Sequence, residues 1–233
     1  MTDTPDVTTA QSTQGDRTMT DNYLIKYAKQ FDKHVKDHTL TVRDQGRGPI
    51  LLKVRSPSCQ YGYDIVSWRG VVCLHGSMGS FMFDGGFMDI SKYHKRMGVD
   101  CENLLDRARS ATSFLHDRTI SACADRQQFC FDLFIKELNT ELKDFRKRYP
   151  EVSQEQIDRL FKELEEHEGS DSPEEIHRVC QMWSDDVTGC SEELLDIHDI
   201  KLCRVYRYQF TWNCLAVAHA IKLYNEHKAR EAI

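Results

Sequence analysis

Apolar residues along this chain follow two periods: a spacing of two between residues 38 and 83, and spacings of three and four over most of the rest. Between Tyr61 and Phe83, the residues Tyr61, Tyr63, Ile65, Val66 and Trp68 are aromatic or β-branched, types that fit a pleated, half-buried surface. Arg69-Gly70 breaks the run and Val71-Val72-Cys73-Leu74 restarts it, which reads as a hairpin. Gly76-Ser77-Met78-Gly79 is a second break, followed by Ser80-Phe81-Met82-Phe83. Upstream, residues 38–43 alternate polar and apolar, and Ile50 to Arg55 alternate from Leu52 onward. Gln45-Gly46-Arg47-Gly48-Pro49 between them is a turn by composition. The pattern predicts about five short strands in an antiparallel meander over 38–83, with one face that helices must cover.

Helical stripes flank the meander. Asp21 is placed to cap a helix from Asn22 to about Lys36, with Tyr23, Tyr27, Phe31 and Val35 on one side. A short helix is expected from Phe87 to Arg96, and a longer one, with Asp100 as its cap, carrying Leu104, Leu105, Ala108, Ala111, Thr112 and Leu115. From Ala124 to Tyr149 the stripe is Phe129, Leu133, Phe134, Leu138, Leu142 and Phe145, and Pro150 closes it. Ser153 with Gln156 forms a capping-box pattern opening a helix from Gln154 to His167. Pro173 suits the first turn of a helix to about Trp183, with a loop at Asp185 to Gly189 and a short helix from Ser191 to His198. Tyr206, Phe210, Cys214, Val217, Ile221 and Tyr224 mark a last helix, widened by Trp212, Leu215, Ala216 and Ala218. So broad an apolar surface predicts a buried helix, followed by a solvated tail from Glu226 to Arg230. The predicted class is α+β: a meander at 38–83, then helical regions at 87–150 and 151–230, in one domain over 21–233.

Residues 1–20 are rich in Thr, Asp, Ser and Gln and are expected to be disordered. Met19-Thr20-Asp21 repeats Met1-Thr2-Asp3, so either methionine fits a start. The opening residues lack the basic and apolar regions of a signal peptide, and no apolar run reaches the roughly 20 residues of a membrane span. A cytoplasmic location is expected.

Nine cysteines contain no C-x-x-C pair, so buried free thiols are expected in place of a zinc site or disulfides. Gly76-Ser77-Met78-Gly79-Ser80 lacks the lysine and spacing of a phosphate loop. Asp64, Cys73 and His75 lie on neighbouring strands, and the expected arrangement is a core thiol beside a surface imidazole, not a nucleophile pair. Glu165, Glu166, His167 and Glu168, with Glu174, Glu175 and His177, fall on helix exteriors and do not make a defined metal site. No catalytic residue, metal or cofactor is expected.

Three pieces of the sheet pattern carry a resemblance. His38, Leu40, Thr41 and Val42 form the first; Asp64, Ile65, Val66, Trp68 and Gly70 the second; Gly76, Met78, Gly79 and Phe83 the third. With Phe210-Thr211-Trp212-Asn213-Cys214, Ala220, Ile221 and Tyr224, they resemble a family of uncharacterised proteins of tailed bacteriophages and of bacterial genomes carrying phage-derived genes. Arg69, Ser77 and His219 depart from that pattern, where Pro, Asp and an aromatic are usual. The resemblance implies phage or prophage origin and a role inside an infected cell, and carries no catalytic residues.

Charge is polarised. Residues 151–200 hold 16 Asp and Glu against 3 Lys and Arg, a net of −13, while the whole chain carries −6. Such asymmetry fits either a pair of solvated amphipathic helices with acidic outer faces or an interaction surface. Glu155, Asp158, Glu163, Glu166, Glu174 and Glu175 fall off the apolar stripes and are the candidate interaction residues. Combined with the resemblance, the expected function is a non-catalytic accessory protein that binds a host macromolecule. Its most concrete form is inhibition of a bacterial defence system through a nucleic-acid-binding host protein. Neither membrane nor direct nucleic-acid binding is expected. The alternative is a metal-dependent enzyme acting on nucleic acid or nucleotide.

Overall fold

The computed structural model describes residues 14–44, 49–58, 60–122, 125–170, 172–189 and 194–232. The first helix, α1 (Gln14–Val35), leads into five strands: β1 (Thr39–Asp44), β2 (Ile50–Arg55), β3 (Tyr63–Trp68), β4 (Val71–Gly76) and β5 (Gly79–Asp84). Then come α2 (Phe87–Ser91), α3 (Leu104–His116), β6 (Thr119–Ala122) and β7 (Gln127–Phe129). The remainder is α4 (Phe131–Arg148), α5 (Gln154–Glu165), α6 (Pro173–Thr188), α7 (Ile197–Leu202), β8 (Arg204–Tyr206) and α8 (Tyr208–Glu231).

Strands β1 to β6 form one antiparallel sheet in sequence order, and β7 pairs with β8. The expected meander is present, and the fold is α+β. Arg69 and Gly70 both have positive φ, the geometry of the two-residue turn that joins twisted strands β3 and β4. Register puts Val42, Leu52, Ile65, Leu74 and Phe81 in one row across the sheet, ending opposite Ala122. Of these, Leu52, Ile65, Leu74 and Phe81 are buried under the helices. Their sheet neighbours one residue away face outward, as period two requires.

Helix α8 is the spine of this half. Residues 210–218 are all buried, so no polar stripe is left over that stretch. Trp212 meets Tyr63 and Phe31 edge-on, with ring centroids 5.6 and 5.2 Å apart. Asn213 donates through Nδ2 to Met78 O at 2.9 Å and ties the helix to the β4–β5 turn. Helices α1, α2 and α3 complete this core with Leu24, Phe31, Phe87, Ala108 and Leu115.

A second core is built by α4 to α7 with β7 and β8. It holds Phe134, Leu138, Phe145, Leu160, Leu164, Ile176 and Trp183, all essentially without exposure. The single domain expected over 21–233 therefore contains two cores. The second is an insertion: residues 127–206 leave after β6 and return before α8. Its two ends are zipped together, Gln127 opposite Tyr206 and Phe129 opposite Arg204.

Several boundaries differ from expectation. Helix α1 starts at Gln14, so residues 14–20 are helical, while residues 1–13 of the expected tail lie outside the described residues. Asp21 is inside that helix and accepts from Arg109 Nε at 3.0 Å, so it is not a cap. Asn103, not Asp100, caps α3 by accepting from the Leu105 and Asp106 amides. The long helix expected from Ala124 begins at Phe131, because Gln127 to Phe129 pair with β8. Helix α2 ends at Ser91 and turns fill the stretch to residue 100. Residues 191–193 of the helix expected from Ser191 lie outside the described residues, and α7 runs from Ile197. The expected tail from Glu226 to Arg230 continues α8 as exposed helix.

Candidate functional site

The acidic helices dock on one another through the predicted stripe. Ile157, Leu160 and Leu164 of α5 are buried, and Phe161 is partly buried. Ile176, Cys180 and Trp183 are the buried side of α6. Trp183 Nε1 donates to Gln156 O at 2.8 Å and locks the two helices together. Ser153 and Gln156 make the expected capping box: Gln156 N donates to Ser153 Oγ at 3.2 Å and Ser153 N to Gln156 Oε1 at 2.8 Å. Pro173 occupies the first turn of α6.

With the apolar sides turned inward, the carboxylates face solvent. Glu155, Asp158 and Glu163 on α5, Glu166 at its C-terminal cap, and Glu174 and Glu175 on α6 are all exposed. At 1.5 Å per residue, Glu155 and Glu166 mark a face about 16 Å long. Glu155 lies in the first turn of α5, and Glu174 and Glu175 in the first turn of α6, where the helix dipole favours negative charge.

The six are not equally free. Glu163 accepts from Arg159 Nε at 3.1 Å, and the same guanidinium reaches Asp186 of α6 at 3.0 Å. Those bonds, Glu163 foremost, raise the Arg159 pKa further. Lys201 of α7 lies 2.8 Å from Glu174, and its hydrogen bond lowers the Glu174 pKa. Glu175 accepts from Ser170 at 3.2 Å, and Asp158 accepts from Gln154 Nε2 at 2.9 Å. Glu155 and Glu166 have no side-chain ion pair among the described residues.

Two features of this surface escaped the sequence reading. Helix α6 runs to Thr188, so Asp185 and Asp186, expected in a loop, extend its acidic face by another turn. Gly189 ends the helix with φ 66°, and that glycine is the signal that marks the true stop. Arg159 is the second: a cation set on the acidic surface and held by two helices.

The strand residues weighed for chemistry occupy the outer sheet face. Asp64 stands opposite His75, and His75 opposite Ser80. His75 Nδ1 and Ser80 Oγ share a hydrogen bond of 2.6 Å, while Asp64 pairs with Arg55 at 2.6 Å. Cys73 is a partly exposed free thiol on that face, not a core one. Cys101 is also partly exposed, and the thiols of Cys130, Cys180, Cys203 and Cys214 are buried. Among the described residues, no group of three or more His, Cys, Asp or Glu could hold a metal ion.

A cleft of about 600 Å³ opens between α1, α3, α8 and residues 99–102. At its wall, His219 Nδ1 and Tyr63 OH share a hydrogen bond of 2.9 Å, and Arg107 pairs with Asp32 at 2.6 Å. Burial holds the His219 imidazole down at about 4, with His38, Lys222 and Arg107 adding to the shift.

Protein-family models, curated proteins and solved structures include no match to this chain. Among the described residues, no helix is long and apolar enough to cross a membrane.

Proposed function

We propose that this protein is a non-catalytic binding protein that docks on a basic macromolecular surface through the exposed faces of α5 and α6. One observation carries the reading: in a segment with a net charge of −13, Glu155, Asp158, Glu163 and Glu165 on α5 and Glu174, Glu175, Asp185 and Asp186 on α6 are all exposed, on two helices locked to each other. Rigid helices present charge without first paying to order a loop, and a surface of one sign steers an opposite surface toward encounter. A host protein that binds nucleic acid fits, because its basic groove would take these carboxylates in place of phosphate. The resemblance to phage and prophage proteins supports inhibition of a bacterial defence system as the outcome.

The test is differential capture. Full-length protein and a variant with Glu155, Asp158, Glu163 and Glu166 changed to Lys are immobilised and exposed to the same bacterial lysate. Basic, nucleic-acid-binding proteins should be retained by the first and lost by the second, as quantified by mass spectrometry. An identical set on both resins would remove the acidic face from the account.

A further inference from the structure

The half of the molecule that carries the sheet is the basic one, and its arginines are not spread evenly. A depression of about 360 Å³ lies between the segment after α2 and the C-terminal half of α3. Arg96, Arg109, Ser110, Ser113 and Arg118 line it. We propose that it binds a phosphomonoester, with Arg96 and Arg118 holding the phosphate oxygens and the two serines donating to them.

The guanidinium groups are held in place by aromatic rings. Arg118 Cζ sits 3.8 Å over the Phe114 ring and 5.9 Å from the Tyr93 ring. Arg96 Cζ approaches the other neighbour, Tyr93, at 5.8 Å. Tyr93 and Phe114 pack at 5.6 Å, so one aromatic pair carries both cations. A guanidinium stacked on a ring keeps its N–H edge free, and that edge matches two oxygens of a phosphate. Arg118 also donates through Nη1 to Phe114 O at 3.0 Å, which fixes its orientation.

Charge in the depression is cancelled only in part. Arg109 is neutralised by Asp21. Among the described residues, Arg96 and Arg118 have no carboxylate partner. Asp117, the one carboxylate in the lining, is largely exposed and lies 3.5 Å from His116 Nδ1. Ser110 and Ser113 stand one turn apart on α3, and neither hydroxyl has a partner among the described residues.

The backbone is built for this approach. Gly98 has φ 66°, and a Cβ there would stand 3.0 Å from Arg107 Cα and 3.2 Å from Ser110 Cβ. Only glycine lets the segment lie so tightly against α3, and that contact brings Arg96 beside Ser110 and Ser113.

The experiment is titration of the full chain at low salt with phenyl phosphate, inorganic phosphate and phenyl sulfate, followed by amide NMR and calorimetry. Phenyl phosphate should bind one-to-one at about 1 mM or tighter and shift the Ser110, Ser113 and Arg96 amides. Phenyl sulfate, with the same shape and one charge fewer, should bind about tenfold more weakly. Arg96→Gln, an exposed change, should weaken phenyl phosphate by about tenfold, and Ser113→Ala should weaken it further. Gly98→Ala should do the same if it stays folded, and the Arg96 result decides if it does not. Inorganic phosphate as tight as the ester would identify free phosphate as the source, and tighter ester binding would identify an esterified one. The proposal fails if no probe shifts those amides, or if Arg96→Gln leaves phenyl phosphate binding unchanged.

Discussion

His219 shows how one residue sets a property of the whole chain. It stands on a helix that is otherwise almost wholly apolar at that level, it bonds Tyr63, and its imidazole stays neutral down to about 4 because burial penalises the cation. In the unfolded chain the same group titrates near 6.5. Between those values the unfolded state binds a proton that the folded state refuses, so acid favours unfolding. Stability should be full above about pH 6.5 and fall by up to about 3 kcal/mol as pH drops toward 4. Denaturant unfolding at pH 7 and pH 4.5 measures this against His219→Gln, which can still accept from Tyr63. The variant should lose clearly less stability between the two pH values; equal losses would place the proton uptake elsewhere. His34, stacked on Tyr61 at 3.5 Å, is lowered mainly by burial as well and contributes in the same direction.

Helices and strands were legible where the apolar period was long and the punctuation was chemical. The five strands of the meander followed period two and their glycine turns, and the α5 cap followed Ser153 and Gln156. Strand β6 was not legible: Thr119-Ile120-Ser121-Ala122 has one large apolar residue, Ile120, and it is 55% exposed. Its pairing with β5 supplies what its sequence lacks. Strands β7 and β8 were hidden because Phe129 and Tyr206 also fit helical stripes, and only the long-range pairing decides between them. The outward placement of the six candidate carboxylates followed from the stripe, whereas the Arg159 bridge to Asp186 depends on how two helices cross. Gly189 tests the corrected end of α6. A Cβ there would meet nothing within 4 Å, so Gly189→Ala costs only the left-handed backbone, about 1 kcal/mol. Chemical denaturation should show that loss; an unchanged midpoint would mean the helix end is held by other contacts.

At the scale of the molecule, the acidic helices belong to an insertion with a core of its own, and the sheet with α8 forms the other core. The ends of the insertion are opposed at Gln127 and Tyr206, so a short linker can close the gap. Replacing residues 128–205 by a few Gly and Ser residues should leave a folded sheet domain with cooperative unfolding. It loses the Tyr23 bond to Asp132, 2.8 Å, and some packing on α1. Loss of cooperative unfolding would show instead that the two cores fold as one. The central claim is that the insertion docks by charge, and the salt dependence of association with the most strongly retained captured protein tests it most directly. Screening shortens the reach of surface charge to about 8 Å at physiological salt, so the unmodified chain should associate more slowly as salt rises. The variant with Glu155, Asp158, Glu163 and Glu166 reversed to Lys should associate slowly at every salt concentration, with a flat or inverted dependence. Identical rates for the two proteins across the salt series would contradict the account.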